Sequence, residues 1–143
     1  MELTVHTDGG SRGNPGQAAV GVVMQSEIVN RKPSTVIKFG KRIGIKTNNE
    51  AEYYAVISAL QEAKERLTVY GLRFTKISVY LDSLLVCEQL NGRYKVKQAH
   101  LQVLLLQVRQ LEQEIGIPVT YRHIPREENK AADKLVNQAL DTP

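Results

Sequence analysis

Four acidic residues, Asp8, Glu52, Asp82 and Asp133, stand where packing alone would not place a charge. Asp8 and Asp82 each close a segment that reads as a strand, ELTVHTD and TKISVYLD. Glu52 lies four residues before Val56 and seven before Ala59, so it extends the apolar stripe of a helix. Asp133 repeats the pattern, three residues before Val136 and seven before Leu140. Taken singly, each is an ordinary strand-ending acid, or a helix acid tolerated near an N-terminus by the macrodipole. Four converging in one crevice would be different, because like carboxylates within a few Å repel one another unless a cation neutralises them. An all-oxygen set with no cysteine or histidine pair selects Mg²⁺ or Mn²⁺ over zinc.

The elements that must carry these residues follow from periodicity. In ELTVHTD, Leu3, Val5 and Thr7 alternate with Thr4, His6 and Asp8, which predicts a strand that stops at the glycines. AAVGVVMQSEIV and TVIKFGKRIGI are two more runs rich in β-branched residues, and short connections predict an antiparallel meander of the first three strands. From Thr47 the period becomes helical, with Tyr53, Val56, Leu60, Ala63 and Leu67 as the stripe and Gly71 as a stop beyond its end. TKISVYLD is a fourth strand, SLLVCEQLNG and QAHLQVLLLQVRQLEQEI are helices, IPVTYRHIP a fifth strand, and EENKAADKLVNQAL a final helix. Strand–helix–strand order makes the first, fourth and fifth strands parallel. The fold class is therefore α/β, a mixed five-stranded sheet flanked by helices. The C-terminal edge of its parallel strands is where such sheets bind ligands, and Asp8 and Asp82 share it. Cys87 and the leucines of QVLLLQVRQL read as core, His6 as packed in a central strand, and His100 as a helix-surface residue.

The 143 residues are the size of one domain, with no internal repeat or linker, and are long enough to bury a core without a disulfide. A single cysteine excludes an internal disulfide framework. No window approaches the roughly 20 apolar residues of a membrane span, and MELTVHTD lacks the apolar stretch of a secretory signal. We expect a cytoplasmic, monomeric protein with no membrane partner. A net charge of +4 and a pI near 9.2 permit a polyanionic partner without requiring one. The glycine-rich GGSRGNPG fits neither the dinucleotide nor the Walker pattern.

Four blocks in order, TDGGSRGNPG around Asp8, TNNEAEYYAVISAL around Glu52, VYLDSLLV around Asp82 and RHIPREENKAAD ending at Asp133, resemble the successive signatures of type 1 ribonucleases H. The resemblance spans nearly the whole chain. It implies a ribonuclease H-like fold and one catalytic domain over residues 1–143. It implies an endonuclease that cuts the RNA strand of RNA/DNA hybrids and leaves 5′-phosphate and 3′-hydroxyl ends. Asp8, Glu52, Asp82 and Asp133 map onto the family's catalytic tetrad, which holds two Mg²⁺ ions, with Mn²⁺ as the alternative. His123, ten residues before Asp133, has the spacing of the family's assisting loop histidine, and an imidazole is a side chain suited to proton transfer near neutral pH.

The resemblance also implies substrate contacts. Gly9, Gly10 and Ser11 match the loop that approaches the RNA strand, and Asn14 a minor-groove contact. Thr47, Asn48 and Asn49 match residues that grip a DNA phosphate and touch the hybrid, although Thr47 and Glu50 are also spaced as a capping box. Longer relatives carry an extra helix and a basic loop with tryptophans where this chain has LNGRYKVKQAH and no Trp at all. Arg93, Lys95 and Lys97 are the candidate substitutes for that protrusion. From the acids alone, two other readings stand: another two-metal nuclease of the same fold, such as a junction resolvase or exonuclease, or a non-catalytic hybrid-binding module. The TNNEAE block and the interval from His123 to Asp133 speak against the first, and an intact tetrad against the second.

Overall fold

The computed structural model describes residues 2–26, 36–69, 71 and 73–143. Strands β1 (Glu2–Gly13), β2 (Gly16–Ser26) and β3 (Val36–Lys46) form an antiparallel meander. Helix α1 (Asn48–Thr68) leads to β4 (Lys76–Leu81), α2 (Leu84–Leu90), α3 (Ala99–Ile115) and β5 (Val119–His123). A 3₁₀ turn (Arg126–Glu128) precedes the last helix, α4 (Lys130–Asp141). The sheet order is β3-β2-β1-β4-β5, and β1 pairs in parallel with β4, which pairs in parallel with β5. This is the mixed five-stranded sheet the sequence predicts. Residues 27–29 of the expected second strand and residue 35 of the expected third lie outside the described residues.

Burial explains the layering. The centre of β4 is covered on both faces, and Ile77, Ser78, Val79 and Leu81 are all buried. On one face the stripe Tyr53, Val56, Leu60 and Ala63 of α1 packs with Leu3, Val5, Met24 and Ile77. On the other, Val136 and Leu140 of α4 close a smaller cluster over Ala19. Gly21 makes that second contact possible, because a Cβ there would sit 2.2 Å from the carbonyl oxygen of Ala132.

Three expectations need correction. β1 does not stop at the glycines: it continues to Gly13, paired with β2 down to a turn at Asn14–Pro15, because backbone ladder bonds do not depend on side chains. The final helix begins at Lys130, since residues 126–128 coil more tightly into a 3₁₀ turn. The leucines of QVLLLQVRQL are not all core. Leu104, Val108 and Leu111 are buried, but Leu106 is 68% exposed and its neighbour Val103 55%, because this run holds more apolar residues than one helix face can bury. Cys87 is buried, as expected.

Candidate active site

The three acids nearest the sheet come from three elements and meet at one edge. Parallel pairing of β1 with β4 ends at Thr7 and Leu81, and the next residue on each chain is an aspartate, Asp8 and Asp82. Asp8 is thus inside a long strand, yet at the end of its parallel part. Glu52 arrives from the start of α1, whose position is fixed by a capping box. The Thr47 hydroxyl accepts from the Glu50 amide at 3.2 Å, and Glu50 Oε1 accepts from the Thr47 amide at 2.9 Å. The bond from the Thr47 amide is the main cause that holds the Glu50 carboxyl below its ordinary pKa. The helix can press against β1 only because residue 9 is glycine: a Cβ there would lie 2.1 Å from the Ala51 carbonyl oxygen. The Gly9 amide then donates to Glu52 Oε1 at 2.8 Å. As a result one carboxylate oxygen from each of Asp8, Glu52 and Asp82 lies within 4.8 Å of the others.

Asp133 lines the same crevice, of about 420 Å³, from the first turn of α4. Gly21, the β2 partner of Asp8, receives the helix at Ala132, and so seats the following Asp133 at the level of Asp8. Unlike Glu52, Asp133 is exposed: it stands at the crevice rim and not on the buried stripe of its helix.

Burial dominates the electrostatics. It raises the Asp8 carboxyl to about 7, with further upward pushes from Asp82 and Asp133 and an opposing hydrogen bond from Glu52. Burial, then Asp8, raises Glu52 well above the carboxylate range. Glu52 Oε2 is buried with no N–H or hydroxyl donor directed at it, and Asp8 is the neighbour with which it would share a proton. An orphaned carboxylate oxygen, raised pKa values and an all-oxygen donor set fit a hard divalent cation. Arg12 and Arg126 bring positive charge to the crevice lining; both lie inside the signature blocks, but an arginine in a turn or loop reads from sequence as a solvated surface residue.

The remaining candidates divide. His123 ends β5 opposite Leu81, one residue short of Asp82 in register; it is exposed and is not part of the crevice lining. Gly9, Gly10, Ser11, Asn48 and Asn49 line the crevice. Asn14 and Asn48 also join the hairpin to the helix: Asn48 N donates to Asn14 Oδ1, and Ser11 N to Asn48 Oδ1, each at 3.0 Å. Arg93, Lys95 and Lys97 line a separate groove of about 580 Å³ with Tyr94, and Asn49 lines both cavities. Arg93 is paired with Glu88 at 2.8 Å. His6 stacks on Tyr80, with ring centroids 5.2 Å apart, and burial lowers its pKa.

Comparison with known proteins places these features in context. Residues 6–139 match the family model described as reverse transcriptase-like. The bifunctional protein Rv2228c of Mycobacterium tuberculosis is 39% identical over 142 residues, which are 99% of this chain and 36% of the relative, so the chain spans about a third of that protein's length. The solved RNase H1 from the halophilic archaeon Halobacterium salinarum is 35% identical with a TM-score of 0.82, and the match covers 99% of this chain and 98% of that one. LC11-RNase H1, solved in complex with RNA/DNA hybrid, is 36% identical with a TM-score of 0.83, over 97% and 96% of the two chains.

Proposed function

The chain belongs to the type 1 ribonuclease H family, within the reverse transcriptase-like domains, and on that premise we propose that it is an endonuclease hydrolysing the RNA strand of RNA/DNA hybrids. The observation that carries this reading is the meeting of Asp8, Glu52 and Asp82 within 4.8 Å, with one buried Glu52 oxygen left unpaired. Asp8, Glu52, Asp82 and Asp133 would hold two Mg²⁺ ions, or Mn²⁺. Bound there, the cations supply Lewis-acid charge to the reacting phosphate and the attacking water. Cleavage would leave 5′-phosphate and 3′-hydroxyl ends without a covalent enzyme intermediate.

The protein's own groups do the rest. The Gly9 amide holds Glu52 in place, and Gly9, Gly10 and Ser11 form a floor whose absent or small side chains let the RNA backbone approach, where its 2′-hydroxyl is read. Asn14, Thr47, Asn48 and Asn49 form one unit at the start of α1 that receives the hybrid. His123, at the end of β5 opposite Leu81, would move a proton on an imidazole nitrogen once the hybrid is bound. Arg93, Lys95 and Lys97 grip phosphates further along the duplex, in the groove that Asn49 joins to the crevice. A gel assay on labelled hybrid, duplex DNA, duplex RNA and a four-way junction, with Mg²⁺, Mn²⁺ or excess EDTA, tests the proposal. Only the RNA of the hybrid should be cut, and only with metal. Full activity in EDTA, equal cleavage of the DNA strand, or a preference for the junction would refute it.

A further inference from the structure

Asparagine is a favoured helix N-cap, and Asn129 occupies that position in α4. Its side chain makes no capping bond. It is instead turned into the protein, 1% exposed, where Nδ2 donates to the carbonyl oxygen of Thr7 at 2.8 Å and to Asp82 Oδ2 at 3.0 Å. Both partners are acceptors, so rotating the amide by half a turn would set Oδ1 against them; the orientation is fixed by chemistry. The arrangement has a cost, because Asn129 Oδ1 and the neighbouring Thr7 Oγ1 are both buried without partners. A residue that gives up a helix cap and strands a buried oxygen is not placed for stability alone.

We propose that Asn129 is a positioning residue for the metal site, holding the Asp82 carboxylate and the backbone before Asp8 in ligating register through one bridging amide. Asp82 lies just beyond the end of β4 and outside its ladder, and it shares the cluster with Asp8 and Glu52, which repel it whenever they ionise. With no restraint, that repulsion would turn its side chain away. With Oδ2 tied to Asn129, Asp82 keeps Oδ1 for a cation. The same NH₂ group grips Thr7, the last β1 residue paired with β4, so the two aspartates are held at a set spacing by a single side chain. This inference rests on the reading of Asp82 as a metal ligand.

The test is calorimetric titration of Mg²⁺ and Mn²⁺ into wild type, Asn129→Leu and Asp82→Asn, and into the double variant. Leucine has nearly the shape of asparagine and lacks the donor. Loss of a group that orients a ligand weakens metal binding by about 10- to 100-fold. We expect that loss for Asn129→Leu in the wild-type background and little further loss once Asp82 is already Asn. The KM for hybrid should stay near wild type, with kcat recovering at high Mg²⁺. Wild-type metal affinity in folded Asn129→Leu, or an equal loss in both backgrounds, would overturn the proposal. Should the leucine variant not fold, the side-chain NH₂ signals of Asn129 in the wild-type protein decide. They should shift on Mg²⁺ addition and on Asp82→Asn, and signals unmoved by both would refute the bridge. A wild type that binds no metal fails the site reading itself, and is a different result.

Discussion

Glu52 Oε2 and the raised Asp8 carboxyl describe a site under internal repulsion until a cation enters it. Asp8 releases its proton at 3.8 in the unfolded chain but at about 7 in the fold. Across that window the native state binds more protons than the unfolded state, so its contribution to stability is present at low pH and is lost as pH rises through about 7. Without metal, the melting temperature should therefore fall between pH 5 and pH 8, and fall less in Asp8→Asn. That variant should be inactive yet as stable as wild type or slightly more so at pH 8; Asp82→Asn should behave alike. Each kcal/mol relieved corresponds to about 3–5 °C in a chain of this size. A large drop in the melting temperature of either apo variant would make the acids structural. His123→Ala should lower kcat by roughly 10- to 10⁴-fold and leave metal binding intact, as expected of a proton-transfer group. If the variant keeps the wild-type pH–rate profile, His123 has no proton to move.

At the scale of elements, the site depends on how closely two helices approach the sheet. Gly21→Ala would drive a methyl into the Ala132 carbonyl, so α4 must shift, and Asp133 with it. We expect a loss of roughly 1–3 kcal/mol, as for other overpacked contacts, together with weaker metal binding. Wild-type melting and metal titration curves would show that α4 has slack. Much of this is legible in the sequence. The stripe of α1 announces Glu52 as a misplaced charge, and the order of elements announces the parallel strands that bring Asp8 to Asp82. The sequence locates Asp8 as though β1 ends there, whereas what ends is its pairing with β4. Asn129 is not legible, because the sequence alone cannot tell a capping asparagine from one turned inward. Nor are the exposed Val103 and Leu106, since a run of apolar residues does not say which of them the neighbouring helix will cover.

For the molecule as a whole, binding a duplex requires more than the crevice. Asn49 lines both the crevice and the groove of Arg93, Lys95 and Lys97, so under the proposed function a duplex would extend from one to the other. Phosphates held there, away from the acids, would be held equally in ground state and transition state. Replacing all three by alanine should raise KM, change kcat little, and flatten the dependence of log affinity on log salt by a little under one unit for each phosphate no longer neutralised. Because Arg93 already pairs with Glu88, its share should be the smallest. Wild-type affinity and salt slope in the triple variant would reduce the segment to a connector. The close approaches at Gly9 and Gly21, and at Gly40, where a Cβ would lie 2.5 Å from the Leu135 carbonyl oxygen, have a genetic corollary. Every missense change in a glycine codon adds side-chain atoms, and at these positions each addition meets backbone that cannot be trimmed. A loss-of-activity screen of random mutants should thus recover these three glycines alongside the acids, and selection on the protein should guard codons whose products carry no reactive side chain.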